Sequence, residues 1–331
     1  MDTPAVLVVG EALVDIVLPH GGGTPTEHVG GSPANVAVGL AALDHDTRLA
    51  THLGDDERGR RVTDHLLDAD VVLTPGSHDA PRTSTATAHL DARAVATYDF
   101  DLVWQLAPVD LHGVGHVHTG SIAATLEPGA SAVLDLVSAA RAVATVSYDP
   151  NCRPTIMGDP HAVRSRIEEC IGRADVVKAS SEDVDWLYAG APVEEVVHLW
   201  GLLGPALVVV TRGADGAVVH LRRTDTTLEL DPVQVDVVDT VGAGDSFMAG
   251  LLSGLVDAGL LGSADARERL RGADLDDLEP ALERAVACAS WTVARAGAAA
   301  PTRANLGHPQ LAGPGVDAAG VDGPDVISPG A

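Results

Sequence analysis

From residue 5 to beyond residue 210, short β-branched runs take turns with segments of helical periodicity. "AVLVVG" precedes "SPANVAVGLAALD", "TRLATHLG" precedes "DDERGRRVTDHLLDAD", "VGHVHTG" precedes "PGASAVLDLVSAARAV", and "TVSYDP" precedes "HAVRSRIEECIGRA". "DVVKAS" and "ALVVVT" continue the series around a helical stretch at 193–203. Strand-length apolar runs separated by amphipathic helices predict an α/β fold, a mostly parallel sheet covered by helices on both faces. Ser32 is expected to open the first helix, with Pro33 at its first position. One segment departs from the pattern. "RTSTATAHLDARAVATYDFDLVWQL", residues 82–106, alternates at period two around "DAR" and carries no helix signal. It predicts an antiparallel hairpin outside the main sheet, a small β lid beside the α/β body. The last helix is expected in "LEPALERAVACASWTVARAGA"; residues 306–331, rich in Gly, Pro, Ala and Asp and without periodicity, are expected to be a disordered tail.

A chain of 331 residues with 46% apolar content can bury a sizeable core, but at 3% aromatics Ala, Val, Leu and Gly must do most of the packing. The net charge of −26 excludes nucleic acid and anionic membrane as partners, since both would repel it. Cys152, Cys170 and Cys288 are odd in number and far apart, without metal or C-x-x-C spacing, so free buried thiols in a reducing compartment are expected. "MDTPAVLVVGEALVDIVLP" lacks a basic start and carries Glu11 and Asp15 within its apolar pattern, which reads as a first strand and not a signal peptide. No uncharged apolar run approaches ~18 residues. A soluble, cytoplasmic protein is expected.

The stretch with the most chemical content is "VVDTVGAGDSF", residues 237–247. A Walker A loop is excluded, because Lys178, the only lysine, stands far away between Val177 and Ala179. A dinucleotide fingerprint is broken by Phe247 where its third glycine belongs, and it comes late in the chain. Esterase-type G-x-S-x-G is absent. An anion hole remains. The apolar residues after Asp245 recur at helical spacing, so the glycine-rich turn presents the free N–H groups of a helix start, and glycines let a phosphate approach closely. Asp245 in that turn is placed to accept a proton from a hydroxyl while a phosphoryl group is transferred to it. The plain alternative is a helix-start Asp and a tight turn. His116 and His118 share one strand face, but no third metal ligand is evident, so they read as core or cleft-lining residues.

"DTVGAGDSF" resembles the C-terminal signature of the ribokinase-like (PfkB) sugar kinase family, and "GGSPANVAVGLAAL" followed by "LGDDERGRRV" resembles its N-terminal signature. "DPNCRP", "VVKASSEDVDWLY" and "VVVTRGADGAVV" match further blocks in order, so that the resemblance spans about residues 5–303. It implies a three-layer α/β domain over 1–305, with a β lid drawn from about 11–28 and 82–106. It implies ATP with Mg²⁺ as phosphoryl donor and a sugar hydroxyl as acceptor. Asp245 matches the catalytic base and Gly242, Ala243 and Gly244 the anion hole; Asp15, Gly31 and Asn35 fall on sugar-binding positions, and Arg153 is a further phosphate or substrate contact. Lys178, Ser180, Thr211, Gly213 and Gly216 fall in blocks assigned to the nucleotide. The family's N-x-x-E pair, which holds the metal–phosphate assembly through water, is replaced here by Ser180 and Asp183, so Asp183 becomes the metal residue, with Glu182 as substitute. A monovalent cation such as K⁺ near Asp239 and Thr240, and a homodimer through the lid, are further family traits.

Within the family the blocks look most like fructokinases. Kinases of 2-keto-3-deoxygluconate tend to carry an arginine in the strand matching "TYDFDLVW", where Asp99 and Asp101 would repel that acid's carboxylate. D-Fructose, phosphorylated on a primary hydroxyl, is the expected substrate; 2-keto-3-deoxygluconate and ribose are the alternatives. A sugar- or nucleotide-binding regulator on an inactive kinase fold is the alternative of another class, and the intact Asp245 argues against it.

Overall fold

Residues Ala5–Val9 form strand β1, in which Val6 and Val8 point to one side of the sheet and Leu7 and Val9 to the other, all buried. A strand apolar on both faces needs a layer above and below. The computed structural model describes residues 4–91 and 96–307. In chain order the further strands are β2 (Leu13–Leu18), β3 (Thr26–Gly30), β4 (Thr47–Ala50), β5 (Val72–Leu73), β6 (Thr85–Leu90), β7 (Ala96–Asp101), β8 (Val114–Gly120), β9 (Thr145–Asp149), β10 (Val176–Ser180), β11 (Leu207–Thr211), β12 (Ala217–Leu221) and β13 (Thr226–Leu230). The helices are α1 (Ser32–Ala42), α2 (Glu57–Asp68), α3 (Gly129–Ala140), α4 (Pro154–Met157), α5 (Pro160–Ile171), α6 (Ser181–Tyr188), α7 (Val193–Leu203), α8 (Ala243–Asp257), α9 (Ala264–Gly272), α10 (Leu275–Val293) and α11 (Arg303–Leu306).

The main sheet has nine strands in the order β13-β12-β11-β10-β9-β8-β1-β4-β5. It is parallel from β11 to β5, and β12 and β13 add an antiparallel edge. Val6 and Val8 join a core with Val36 and Leu40 of α1, Leu251 and Leu255 of α8 and Leu282 of α10. Leu7 and Val9 join the opposite core with Val133 of α3, Ile167 of α5 and Trp200 of α7. Each such side chain contributes about 1.5–3 kcal/mol on burial, and the two cores make the expected three layers. Among the described residues no helix is long and apolar enough to cross a membrane.

A second sheet, β3-β2-β6-β7, forms the lid. The expected hairpin is β6 paired antiparallel with β7, and β2 joins it in parallel. Two expectations need correction. Ser32 does not cap α1; the cap position is Gly31, and the Ser32 hydroxyl turns elsewhere. The helix in "LEPALERAVACASWTVARAGA" is α10, but the short α11 follows it. The expected tail lies outside the described residues from 308 on, and Leu306 still belongs to α11.

Cys152, Cys170 and Cys288 are free and buried, and burial pushes their thiols up, to about 12 for Cys170 and Cys288. His116 and His118 are core residues. They bond Thr145 and Ser147, and burial holds both near 3, hence neutral.

Candidate active site

Gly242 stands at the cap of α8 with φ 75, a left-handed conformation that glycine adopts without strain. The tight turn it makes is closed by the Ala243 N–H on the Thr240 carbonyl at 3.3 Å. Among the described residues no acceptor meets the N–H groups of Gly244 and Asp245, as expected for a first helical turn. These two, more than Ala243, are the open donors of the turn. The Asp245 carboxylate is buried and fixed from α1: Ser32 Oγ donates to Oδ1 at 2.7 Å and Asn35 Nδ2 to Oδ2 at 2.8 Å. A carboxylate has about four lone-pair sites, so each oxygen keeps one for a hydroxyl.

Directly behind this turn lies Lys178. A side chain at Gly244 would bring Cβ to 2.9 Å from Lys178 Nζ, so glycine leaves room for the ammonium beside the turn. Lys178 pairs with buried Asp149 at 2.8 Å. Burial works against the lysine's charge, but Asp149, Asp245 and Asp183 outweigh it and hold its pKa above the ordinary value. Burial pushes Asp149 up to about 6, against the pull of Lys178. The pair is therefore ionised at neutral pH. Lys178, expected at the nucleotide, lies against Gly244 and pairs with Asp149.

Of the residues expected to bind the sugar, Asn35 reaches the start of α8, where it bonds Asp245. Gly31 has φ 108, and a Cβ there would sit 2.5 Å from the Glu11 carbonyl oxygen, so the chain passes from β3 into α1 only as glycine. Asn35 follows one turn later. Asp15 projects from β2 and is open to solvent, yet the neighbours around it raise its pKa through desolvation, opposed by Arg153 and His28. Arg153 caps α4, its guanidinium bonded to Asn151 and the Cys152 carbonyl. Its charge bears on both Glu11 and Asp15, which places it on the cleft side.

The remaining positions fare differently. Thr211 ends β11, and Gly213 and Gly216 adopt φ 56 and 83 in the turn to β12, an exposed strand-to-strand corner as expected. Arg212 in that turn is paired with Glu229 at 3.0 Å and Glu194 at 3.9 Å. Asp183, expected to serve a metal, is the inner member of a capping box on α6. Its oxygens accept from Cys152 N at 2.6 Å, Ser180 N at 2.8 Å and Ser180 Oγ at 2.7 Å. The carboxylate is buried and committed to these donors, as is Ser180; Glu182 beside it is exposed. The lid acids also need correction. Asp15 pairs in register with Ala86, and Ala86 with Phe100, so Tyr98 and Phe100 share the Asp15 face while Asp99 and Asp101 lie on the other. Asp101 pairs with Arg82, and Asp99 with His89 at 2.9 Å. The two acids lie on the face opposite Asp15.

Residues 3–305, which include this helix start, match the family model of the pfkB family carbohydrate kinases. The chain belongs to the pfkB family of carbohydrate kinases. The fructokinase of Klebsiella pneumoniae is 35% identical over 263 residues, 76% of this chain and 85% of the relative. A fructokinase double mutant of Vibrio cholerae O395 with fructose, ADP and potassium bound superposes with a TM-score of 0.73 at 28% identity, covering 92% of this chain and 98% of the other. The fructokinase of Xylella fastidiosa with bound ATP gives 0.77 at 26% identity, covering 91% and 96%.

Three residues of this carbohydrate kinase escaped the sequence reading. Ser32 was taken for a helix cap, Asp149 was only part of a motif, and Glu11 was noted only as a charge in an apolar strand. Glu11 is buried with Oε2 unpartnered. Burial pushes its carboxyl to about 7; the Ser121 hydroxyl, its own backbone N–H and Arg153 pull down, and Asp245 pushes up. Its position in "GEALVD", four residues before Asp15, was the available signal.

Proposed function

We propose that this kinase transfers the γ-phosphoryl group of ATP to a hydroxyl of D-fructose, with Asp245 as general base. The observation that carries the reading is the Asp245 carboxylate, oriented by Ser32 and Asn35 at the mouth of a helix whose first N–H groups are open. Asp15, Gly31, Asn35 and Arg153 hold the sugar so that a primary hydroxyl meets a free lone pair of Asp245. As that proton passes to the carboxylate, charge grows on the transferred phosphoryl oxygens, which the Gly244 and Asp245 N–H groups and the Lys178 ammonium behind them stabilise. The corner of Thr211, Gly213 and Gly216 takes the nucleotide. Fructose is supported by the fructokinase relatives; with Asp99 and Asp101 facing away, lid charge supplies no argument for it.

Mg²⁺ fits the donor set only through water, because Asp183 is committed to its helix cap and Asp149 to Lys178, leaving exposed Glu182 as the carboxylate able to hold a hydrated ion. When bound with ATP, the ion neutralises phosphate charge in a protein of net charge −26. For a monovalent cation such as K⁺, the candidate segment is the loop of Asp239 and Thr240; Asp239 accepts from Gly297 N at 2.8 Å and Val241 N at 3.1 Å, which lowers its pKa. A homodimer through the lid sheet belongs to the same proposal, and light scattering of the purified chain tests it. The deciding experiment is ADP release with fructose, ribose and 2-keto-3-deoxygluconate. Fructose should give the highest kcat/KM. A tenfold preference for the keto-deoxy acid, about 1.4 kcal/mol of discrimination, overturns the sugar, and turnover in excess chelator overturns the metal.

A further inference from the structure

At the sheet edge carrying β12 and β13, three side chains from three elements meet. His198 stands on α7, His220 on β12 and Asp225 in the turn between β12 and β13. His198 Nδ1 lies 2.8 Å from Asp225 Oδ1, and His220 Nε2 lies 4.0 Å from the same oxygen. The imidazoles meet edge to face, centroids 5.6 Å apart, and one ligand atom of each residue lies within 4.8 Å of the other two.

We propose that this cluster is a binding site for a borderline divalent transition-metal ion of the Zn²⁺ type, with water completing a tetrahedron. Ligands at 2.0–2.1 Å around such an ion stand about 3.4 Å apart, and the observed separations bracket that spacing. Two imidazoles and one carboxylate select Zn²⁺ over Mg²⁺ or Ca²⁺, which require oxygen ligands. The buried histidine is prepared for the role. His220 Nδ1 is 3.1 Å from Thr227 Oγ1, so a proton on Nδ1 bonds the threonine and leaves the Nε2 lone pair facing the cluster. Burial lowers the His220 pKa against the influence of Asp225 and so favours the neutral, ligating form. Gly201, one turn along α7 from His198, makes room: a Cβ there would lie 2.6 Å from His220 Nε2. The cations of the neighbouring turn are directed elsewhere, Arg222 to the Gly204 carbonyl and Arg223 to that of Gly272.

The site stands apart from the corner proposed for the nucleotide. His220 lies toward one end of β12, while Ala217 at the other end follows the Gly213–Gly216 corner. A bound ion would pin α7 to the β12–β13 hairpin, so its effect is read as stability and not as turnover.

The test uses the full chain without a histidine tag, stripped with EDTA and titrated with Zn²⁺ alone. One equivalent should bind and raise Tm, and Co²⁺ in its place should give the visible absorption of a tetrahedral site. His198→Ala, a change on an exposed helix face, should abolish that equivalent and the Tm rise. Thr227→Val should weaken binding about 10–100-fold. His89→Ala, at the exposed His89–Asp99 pair of the lid, should change nothing. Failure to bind Zn²⁺, equal binding by His198→Ala, or loss of binding in His89→Ala overturns the proposal.

Discussion

Replacing Glu11 by glutamine isolates the cost of a buried carboxyl that feels the charge of Asp245. In the unfolded chain this group titrates near 4.5, and burial moves it to about 7 in the fold. Below 4.5 both states hold the proton and the group makes no difference. Between the two values the folded state keeps a proton that the unfolded state has released, so stability falls as pH rises, and above 7 the whole penalty applies. At about 1.4 kcal/mol per pH unit the penalty amounts to about 3 kcal/mol, of which about 2 kcal/mol develops between pH 5.5 and 8. Glu11→Gln keeps the size and never ionises. Urea unfolding of wild type and variant at pH 5.5, 6.5 and 8 should therefore show the variant gaining about 2 kcal/mol relative to wild type over that range. A difference that stays constant with pH, or moves the other way, refutes the reasoning.

Asp245→Asn keeps its shape and its contacts' positions but removes the proton acceptor, so kcat should fall about 10²–10⁴-fold with ATP binding unchanged in a nucleotide titration. Lys178→Met leaves Asp149 buried without its partner and should cost about 3–5 kcal/mol, seen in urea unfolding; adding Asp149→Asn should restore most of it while turnover stays low. Gly31→Ala places a Cβ 2.5 Å from the Glu11 carbonyl at φ 108 and should cost about 1–3 kcal/mol, with KM for the sugar raised more than KM for ATP.

The parallel sheet was legible because strands buried on both faces read as continuous apolar runs, such as Val208–Val210, which need no knowledge of their neighbours. The lid hairpin was legible from its alternation for the same local reason. Which face of the lid meets the sugar was not, since it depends on the register of β2, β6 and β7, and a shift of one residue would exchange Asp99 for Phe100. Asp245 and its glycines stand in one short segment, so the candidates could be singled out from local sequence alone. Ser32 was misread because a serine before a helix is most often a cap, and its partner lies 213 residues away. The capping role of Asp183 was not read from the sequence, although a serine followed three residues later by an acid is the spacing of a capping box. The His198, His220 and Asp225 cluster has no motif at all, because a helix, a strand and a turn must pack before its members meet.

The bonds from Ser32 and Asn35 to Asp245 also bear on when the protein becomes an enzyme during its synthesis. A nascent chain that has emerged as far as residue 230 already contains every described strand of both sheets and the four residues proposed to hold the sugar. It lacks Asp245, the proposed base. The carboxylate arrives with α8, and its orientation is set only when that helix docks on α1, where Gly39 faces Ala249 closely enough that an added Cβ would lie 2.6 Å away. On the proposed mechanism turnover begins only as α8 docks on α1, and the appearance of activity during translation or refolding should report that joining of two segments distant in sequence.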